Sequence, residues 1–200
     1  MQTIWKLDLG CGRRKRPGHI GLDHSARSEA DVIADLEGGL PFKSSVFDEL
    51  WLSHVFEHVA GPVALMEEIW RVCKGGAIVE IRGPHFSSPH LVWGDPTHRR
   101  GLSLATFVCF SEGADWYLTK CRFEIRTAYL VKGDTELAVV KRKMWYWPLL
   151  WWNKAWQSII NRSPGTILRY ERLLSRVVGF QELRVVLEVR KGTPISAAGL

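Results

Sequence analysis

The hexapeptide Leu7-Asp8-Leu9-Gly10-Cys11-Gly12 constrains this chain more than any other stretch. Ile4, Leu7 and Leu9 supply an apolar strand, and Gly10 and Gly12 let the backbone turn sharply and lie close to a ligand. A second apolar run, Ile20-Gly21-Leu22, ends in Asp23. Strand, glycine turn and a following strand closed by an acid describe an open α/β sheet. In such sheets a nucleoside-like ligand sits outside the carboxyl ends of the strands, and the acid takes its ribose hydroxyls. The rival dinucleotide pattern G-x-G-x-x-G needs a glycine at position 15, where Lys15 stands.

Further segments follow in order: Asp35-Leu36, Leu40-Pro41-Phe42, Phe47-Asp48, Ser53-His54-Val55-Phe56-Glu57-His58-Val59, and Glu68-Ile69-Trp70-Arg71-Val72-Cys73-Lys74-Gly75-Gly76. Together with the first motif they resemble the class I S-adenosylmethionine-dependent methyltransferases, specifically the short methyltransferase-11-like subgroup, over Ile4 to about Pro84. The resemblance implies S-adenosylmethionine as cofactor. It assigns the cofactor loop to Asp8, Gly10, Cys11 and Gly12, the ribose to Asp23, and the adenine side to Asp35 and Leu36, with Ser53 and His54 after the fourth strand. It also implies a seven-stranded, mostly parallel sheet with an antiparallel last strand. Strands are expected near Ile4–Leu9, Ile20–Leu22, Val32–Ala34, Glu49–Leu52, Ala77–Ile81, Phe123–Val131 and Glu182–Val189, with a helix over Pro62–Cys73. Only Cys11 to His19 separates the first two strands, less than a helical crossover needs, so the first helix is reduced to a turn. Arg13-Arg14-Lys15-Arg16 takes its place, as a solvated loop or a contact for a carboxylate or phosphate.

Methyl transfer from a sulfonium needs alignment of the acceptor and, for a hydroxyl or protonated amine, removal of a proton. The loop after the fifth strand carries His85, His90, Asp95 and His98 among prolines and glycines. His85 and His98 are the candidate bases, with Asp95 to orient an imidazole. His54-Val55-Phe56-Glu57-His58 also fits H-x-x-E-H, the inverted zinc-protease pattern, but it follows a strand in a position where methyltransferases carry similar residues. No metal is expected. The four cysteines form no C-x-x-C pair, so neither a zinc site nor a disulfide framework is indicated.

Charge is concentrated. From Lys141 to Arg176 there are eight basic residues against the single acid Glu171, a net +7 where the whole chain carries +6. The same stretch holds five of the ten tryptophans: Trp145, Trp147, Trp151, Trp152 and Trp156. It reads as a basic, Trp-rich helical insertion, 141–178, between the last two strands of a single 1–200 domain. One helix begins at Pro148 with Leu149, Trp152, Trp156 and Ile159-Ile160 on its apolar face and Asn153, Lys154, Gln157 and Asn161 facing away. A second runs from about Thr166 to Gly179, with Ile167, Tyr170, Leu174 and Val177-Val178 on one face. Packing on the sheet edge and contact with anionic headgroups both account for such a pattern. No apolar run reaches membrane-span length, so the expected location is cytoplasmic, with peripheral contact to an anionic membrane. A small-molecule, glycan or lipid-linked acceptor is expected. Nucleic acid is the weaker alternative, because Ser53-His54-Val55-Phe56 stands where base N-methyltransferases resemble one another in an Asp/Asn-Pro-Pro-aromatic tetrapeptide. The competing reading is a non-catalytic cofactor-fold module that docks a membrane or protein through the Trp-rich segment.

Overall fold

The computed structural model describes residues 3–111, 114, 117–132 and 147–191. Seven strands form one sheet: β1 (Lys6–Leu9), β2 (Ile20–Asp23), β3 (Val32–Ile33), β4 (Phe47–Ser53), β5 (Cys73–Pro84), β6 (Arg122–Val131) and β7 (Glu182–Arg190). Their spatial order is β3-β2-β1-β4-β5-β7-β6. The strands from β3 to β5 pair in parallel, and β7 lies antiparallel between β5 and β6. The expected sheet, the antiparallel last strand and the helical insertion before it are therefore present. The order reverses direction at β1, between β2 and β4, which opens a crevice at the strands' carboxyl ends.

The helices are α1 (Pro62–Val72), α2 (Pro89–Trp93), α3 (Leu104–Val108), α4 (Trp147–Ile160) and α5 (Pro164–Leu173). Pro62 and Pro164 start theirs, where a missing N–H costs nothing, and Ser163 caps α5 by accepting from Thr166 N–H. One continuous core joins Leu50 and Leu52 of β4, Val79 and Ile81 of β5, and Leu183, Val185, Leu187 and Val189 of β7 to Leu65, Met66 and Ile69 of α1, Phe107 of α3, Ile160 of α4, and Ile167 and Tyr170 of α5.

No helix joins β1 to β2 or β2 to β3. The reduced first crossover has a large consequence. Parallel strands covered on both faces read as continuous apolar runs, yet here they alternate. Glu49 and Trp51 of β4, Ile78 and Glu80 of β5, and Arg184 and Glu188 of β7 stand opposite the core face and are only half-buried or exposed. Ion pairs tile this face: Lys6–Glu49 at 2.7 Å, Arg184–Glu80, and Arg126 and Arg190 with Glu188. Arg16, from the basic turn, lies 4.1 Å from the Trp51 ring centroid, and Lys15 pairs with Asp31 at 2.8 Å. These two contacts tie the loop to β4 and to the segment before β3.

The insertion departs from expectation in two places. Asn161 does not face away: its Oδ1 accepts from Leu130 N–H at 2.7 Å and its Nδ2 donates to the Leu130 carbonyl at 2.8 Å. It thereby satisfies backbone groups of the edge strand β6 that would otherwise be open. Gln157 likewise accepts from Lys132 N–H. The second helix ends at Leu173, so Leu174 and Val177 leave the packed face; Val177 is 81% exposed and Leu173 76%. Lys141, Arg142, Lys143, Trp145 and Tyr146 lie outside the described residues, as do the side chains of Trp147, Leu149, Trp151 and Trp152. No described helix is long and apolar enough to cross a membrane.

Candidate active site: a cleft at the carboxyl ends of the strands

A cleft of about 790 Å³ opens where β1, β2 and β4 end, a size suited to a nucleoside-bearing cofactor. The carboxyl ends of β1 to β3 and the segments after them contribute Gly10, Asp23, His24, Asp35, Leu36 and Glu37 to its lining. The segments after β4 and β5 contribute His54, Val55, His58, Pro96, Thr97, His98 and Arg99.

The turn after β1 passes through left-handed backbone at both glycines, and at Gly10 a close contact also excludes a side chain. Gly10 has φ +67°, and a Cβ there would stand 2.3 Å from Val55 Cγ2. Gly12 has φ +55° and donates its N–H to Asp23 Oδ2 at 2.9 Å, while Ser25 N–H donates to Oδ1 at 2.8 Å. Two backbone donors thus fix the Asp23 carboxylate at the cleft wall. A carboxylate has about four acceptor positions, so lone pairs remain for two ligand hydroxyls. Asp35 Oδ1 accepts from Glu37 N–H and caps the short 3-10 helix Leu36–Gly38, which puts the acid and Leu36 on the cleft wall together.

Several expected cofactor residues stand behind the cleft. Asp8 is buried, accepts from Arg16 N–H at 2.8 Å, and is raised above the ordinary carboxylate range, chiefly by burial. Its place in the structure is to hold the basic turn. Cys11 is also buried; burial, with Asp8 and Asp23 nearby, pushes its thiol up to about 11, so it is no thiolate at neutral pH. Cys11, Gly12 and Ser53 are not among the residues lining the cleft, and Gly12 contributes through its hydrogen bond to Asp23.

At the other end, His54 directly follows β4 with φ +57°, unusual for a residue with a Cβ. Its Nε2 is 3.1 Å from Glu182 Oε1 and its Nδ1 3.3 Å from Glu57 Oε1. These two carboxylates, Glu182 foremost, hold the imidazole proton and raise it to about 9. His54 at neutral pH is therefore a cation locked between acids.

His85 is corrected by the structure. It is fully buried, with Nδ1 2.7 Å from Ser87 Oγ and Nε2 3.1 Å from Glu171 Oε1. Glu171 also accepts from Ser103 Oγ and Leu104 N–H, both at 2.8 Å. His85 thus fastens α5 to the loop after β5 and has no opening to the cleft. Asp95 is exposed and orients neither His85 nor His98. Its Oδ1 accepts from Thr97 N–H and Oγ1, and its Oδ2 is 3.9 Å from His98 Nε2, beyond hydrogen-bond reach. His98 is oriented instead by the Leu91 and Val92 carbonyls, 3.0 and 3.1 Å from Nδ1. His58, beside it with ring centroids 4.6 Å apart, joins the site although the sequence marks it only within the H-x-x-E-H pattern. Its signal was present in the sequence, inside a pattern that pointed toward proteases.

Residues 7–81 match a family model described as a methyltransferase domain. The fold is similar to that of YcgJ from Bacillus subtilis (TM-score 0.55, 13% identity, 95% of this chain and 93% of that one). It is also similar to a S-adenosylmethionine-dependent methyltransferase from Archaeoglobus fulgidus (TM-score 0.52, 16% identity, 92% and 86%). A third similar structure is a Haloferax volcanii putative methyltransferase bound to the Trm112 methyltransferase activator (TM-score 0.55, 17% identity, 94% and 83%). No curated protein matches the chain.

Proposed function

We propose that the chain is a class I S-adenosylmethionine-dependent methyltransferase whose cleft binds S-adenosylmethionine at the Gly10–Asp23–Asp35 end and an acceptor at the His54–His58–His98 end. One observation carries the reading: a carboxylate fixed by two backbone N–H groups stands at the switch point of the sheet, in a cleft of nucleoside size. The fit is supported by Asp23, whose remaining lone pairs suit a ribose diol, and by Leu36, which offers an apolar wall to adenine. When bound, the cofactor supplies an electrophilic methyl group whose leaving group is already activated by its charge. The protein's own work is then placement. Gly10 admits close approach, Asp23 and Asp35 fix the nucleoside, and the histidine end holds the acceptor in line with the methyl group. His98 keeps a lone pair on Nε2 facing this end, because its Nδ1 donates to carbonyls. His54, already protonated, is a positioning residue rather than a base.

The acceptor class that fits best is a small-molecule, glycan or lipid-linked compound presented at an anionic surface, taken up by the whole 1–200 chain acting as one domain. Leu173 and Val177, both exposed, are flanked by the exposed Arg169, Arg172 and Arg176, an apolar patch within a basic rim. Calorimetric titration of S-adenosylmethionine into the wild type and Asp23→Ala tests the cofactor half. Loss of the ribose contacts is expected to weaken binding about tenfold or more, from roughly 1–3 kcal/mol for an unpaired polar group. Equal affinity in the two proteins would reject the role of Asp23.

A further inference from the structure

The acceptor end of the cleft contains a set of groups that hydrogen bonding leaves unexplained. Glu57 is fully buried; the His54 cation, its Nδ1 3.3 Å from Oε1, offsets the charge, but neither carboxylate oxygen has a partner of hydrogen-bond geometry among the described residues. One ion pair leaves most of the acceptor capacity of a buried carboxylate open, which is costly unless something else fills it. One ligand atom from each of Glu57, His58 and His98 lies within 4.8 Å of the others.

The hydrogen bonds around both imidazoles fix their tautomers. Thr97 Oγ1 spends its one proton on Asp95 Oδ1 at 2.6 Å, so at 3.0 Å from His58 Nδ1 it accepts, and His58 carries its proton on Nδ1. His98 Nδ1 faces the Leu91 and Val92 carbonyls, which only accept, so its proton is on Nδ1 too. Each ring is left with an open Nε2 lone pair, and His98 Nε2 stands 3.9 Å from Glu57 Oε1. An Nδ1–H held by a carbonyl or a carboxylate-linked hydroxyl is the outer arrangement that orients histidine ligands of metals.

We propose that Glu57, His58 and His98 bind one divalent transition-metal ion of the zinc class, and that it holds a hydroxyl or carboxylate oxygen of the acceptor. Two imidazoles and one carboxylate suit such an ion and leave at least one position open. Ligand atoms around a metal at about 2.1 Å stand roughly 3.4 Å apart, so the three groups close by about 1 Å, within reach of side-chain rotation at His58 and His98. The H-x-x-E-H pattern is reused in an altered way. His54 is taken by Glu182 and Glu57, no single helix carries the two histidines, and His98 from the loop after α2 supplies the second imidazole. The acceptor part of this inference rests on the methyltransferase reading; the metal site does not.

The test uses the untagged full-length chain, dialysed against Zn²⁺ and assayed for bound zinc, with Co²⁺ substitution to read ligand geometry from its visible spectrum. About one zinc per chain is expected, lost in His98→Ala and Glu57→Gln. Thr97→Val keeps all three ligands but frees the His58 Nδ1 proton, and is expected to weaken zinc binding about tenfold. S-adenosylhomocysteine is titrated into the same proteins. No stoichiometric zinc in the wild type, or equal zinc in the wild type and His98→Ala, overturns the metal site even if S-adenosylhomocysteine binds. Zinc lost in the variants while S-adenosylhomocysteine fails to bind any of them upholds the metal site and removes the cofactor reading instead.

Discussion

At the scale of single residues, the division of labour between the histidines decides what the cleft can do. His85 and His98 look equivalent in sequence, both in a loop rich in proline and glycine. They differ because α5 delivers Glu171 to His85, and no sequence pattern announces a contact 86 positions away. Burial alone would raise the Glu171 carboxyl, but the hydrogen bonds from His85, Leu104 and Ser103 outweigh it and hold the group below its ordinary 4.5. A carboxyl depressed in the folded state contributes stability that is complete above the unfolded value and fades as pH falls through the folded one. Glu171→Ala is therefore expected to cost about 3 kcal/mol at neutral pH, by leaving His85 and two donors buried without an acceptor. It should also flatten the wild-type loss of stability below about pH 4.5, measured by chemical denaturation across pH. An unchanged midpoint at neutral pH would contradict the fastening role.

Among the secondary-structure elements, the strands and α1 were legible because their periodicities are strong, and the turn after β1 because glycines at 10 and 12 permit little else. The insertion was legible as helical but not in its orientation. A polar residue such as Asn161 on a helix is expected to face water; here the open backbone of β6 is a better partner, since both ends of the amide find a match in Leu130. Asn161→Ala is expected to destabilise the protein by about 1–3 kcal/mol and to speed amide exchange at Leu130 ahead of global unfolding. The basic rim formed by α5 and the turn after it gives a separate expectation. Wild-type protein should sediment with vesicles containing anionic lipid, and the triple change of Arg169, Arg172 and Arg176 to Glu should leave it in the supernatant, as high salt should. Equal recovery with and without vesicles would reject the surface-binding reading.

For the molecule as a whole, losing the first crossover helix accounts for both the fold's thinness and its charge pattern. The face of the sheet that a second helical layer would cover is surfaced by ion pairs among Glu49, Glu80, Arg184, Glu188 and their neighbours, with Arg16 laid over Trp51. The alternation of polar and apolar residues in β7 was visible in the sequence, whereas its extension across the parallel β4 and β5 became readable only once the missing helix was known to leave them uncovered. The cleft survives this thinning because its walls come from strand ends and the β1 and β4 loops, not from the missing helix. The most direct test of that claim is a crystal structure with S-adenosylhomocysteine bound. The account predicts the ribose hydroxyls on Asp23, the adenine against Leu36 and the sulfur facing His58 and His98; a nucleoside seated elsewhere, or turned so that its sulfur faces away from those histidines, would contradict it.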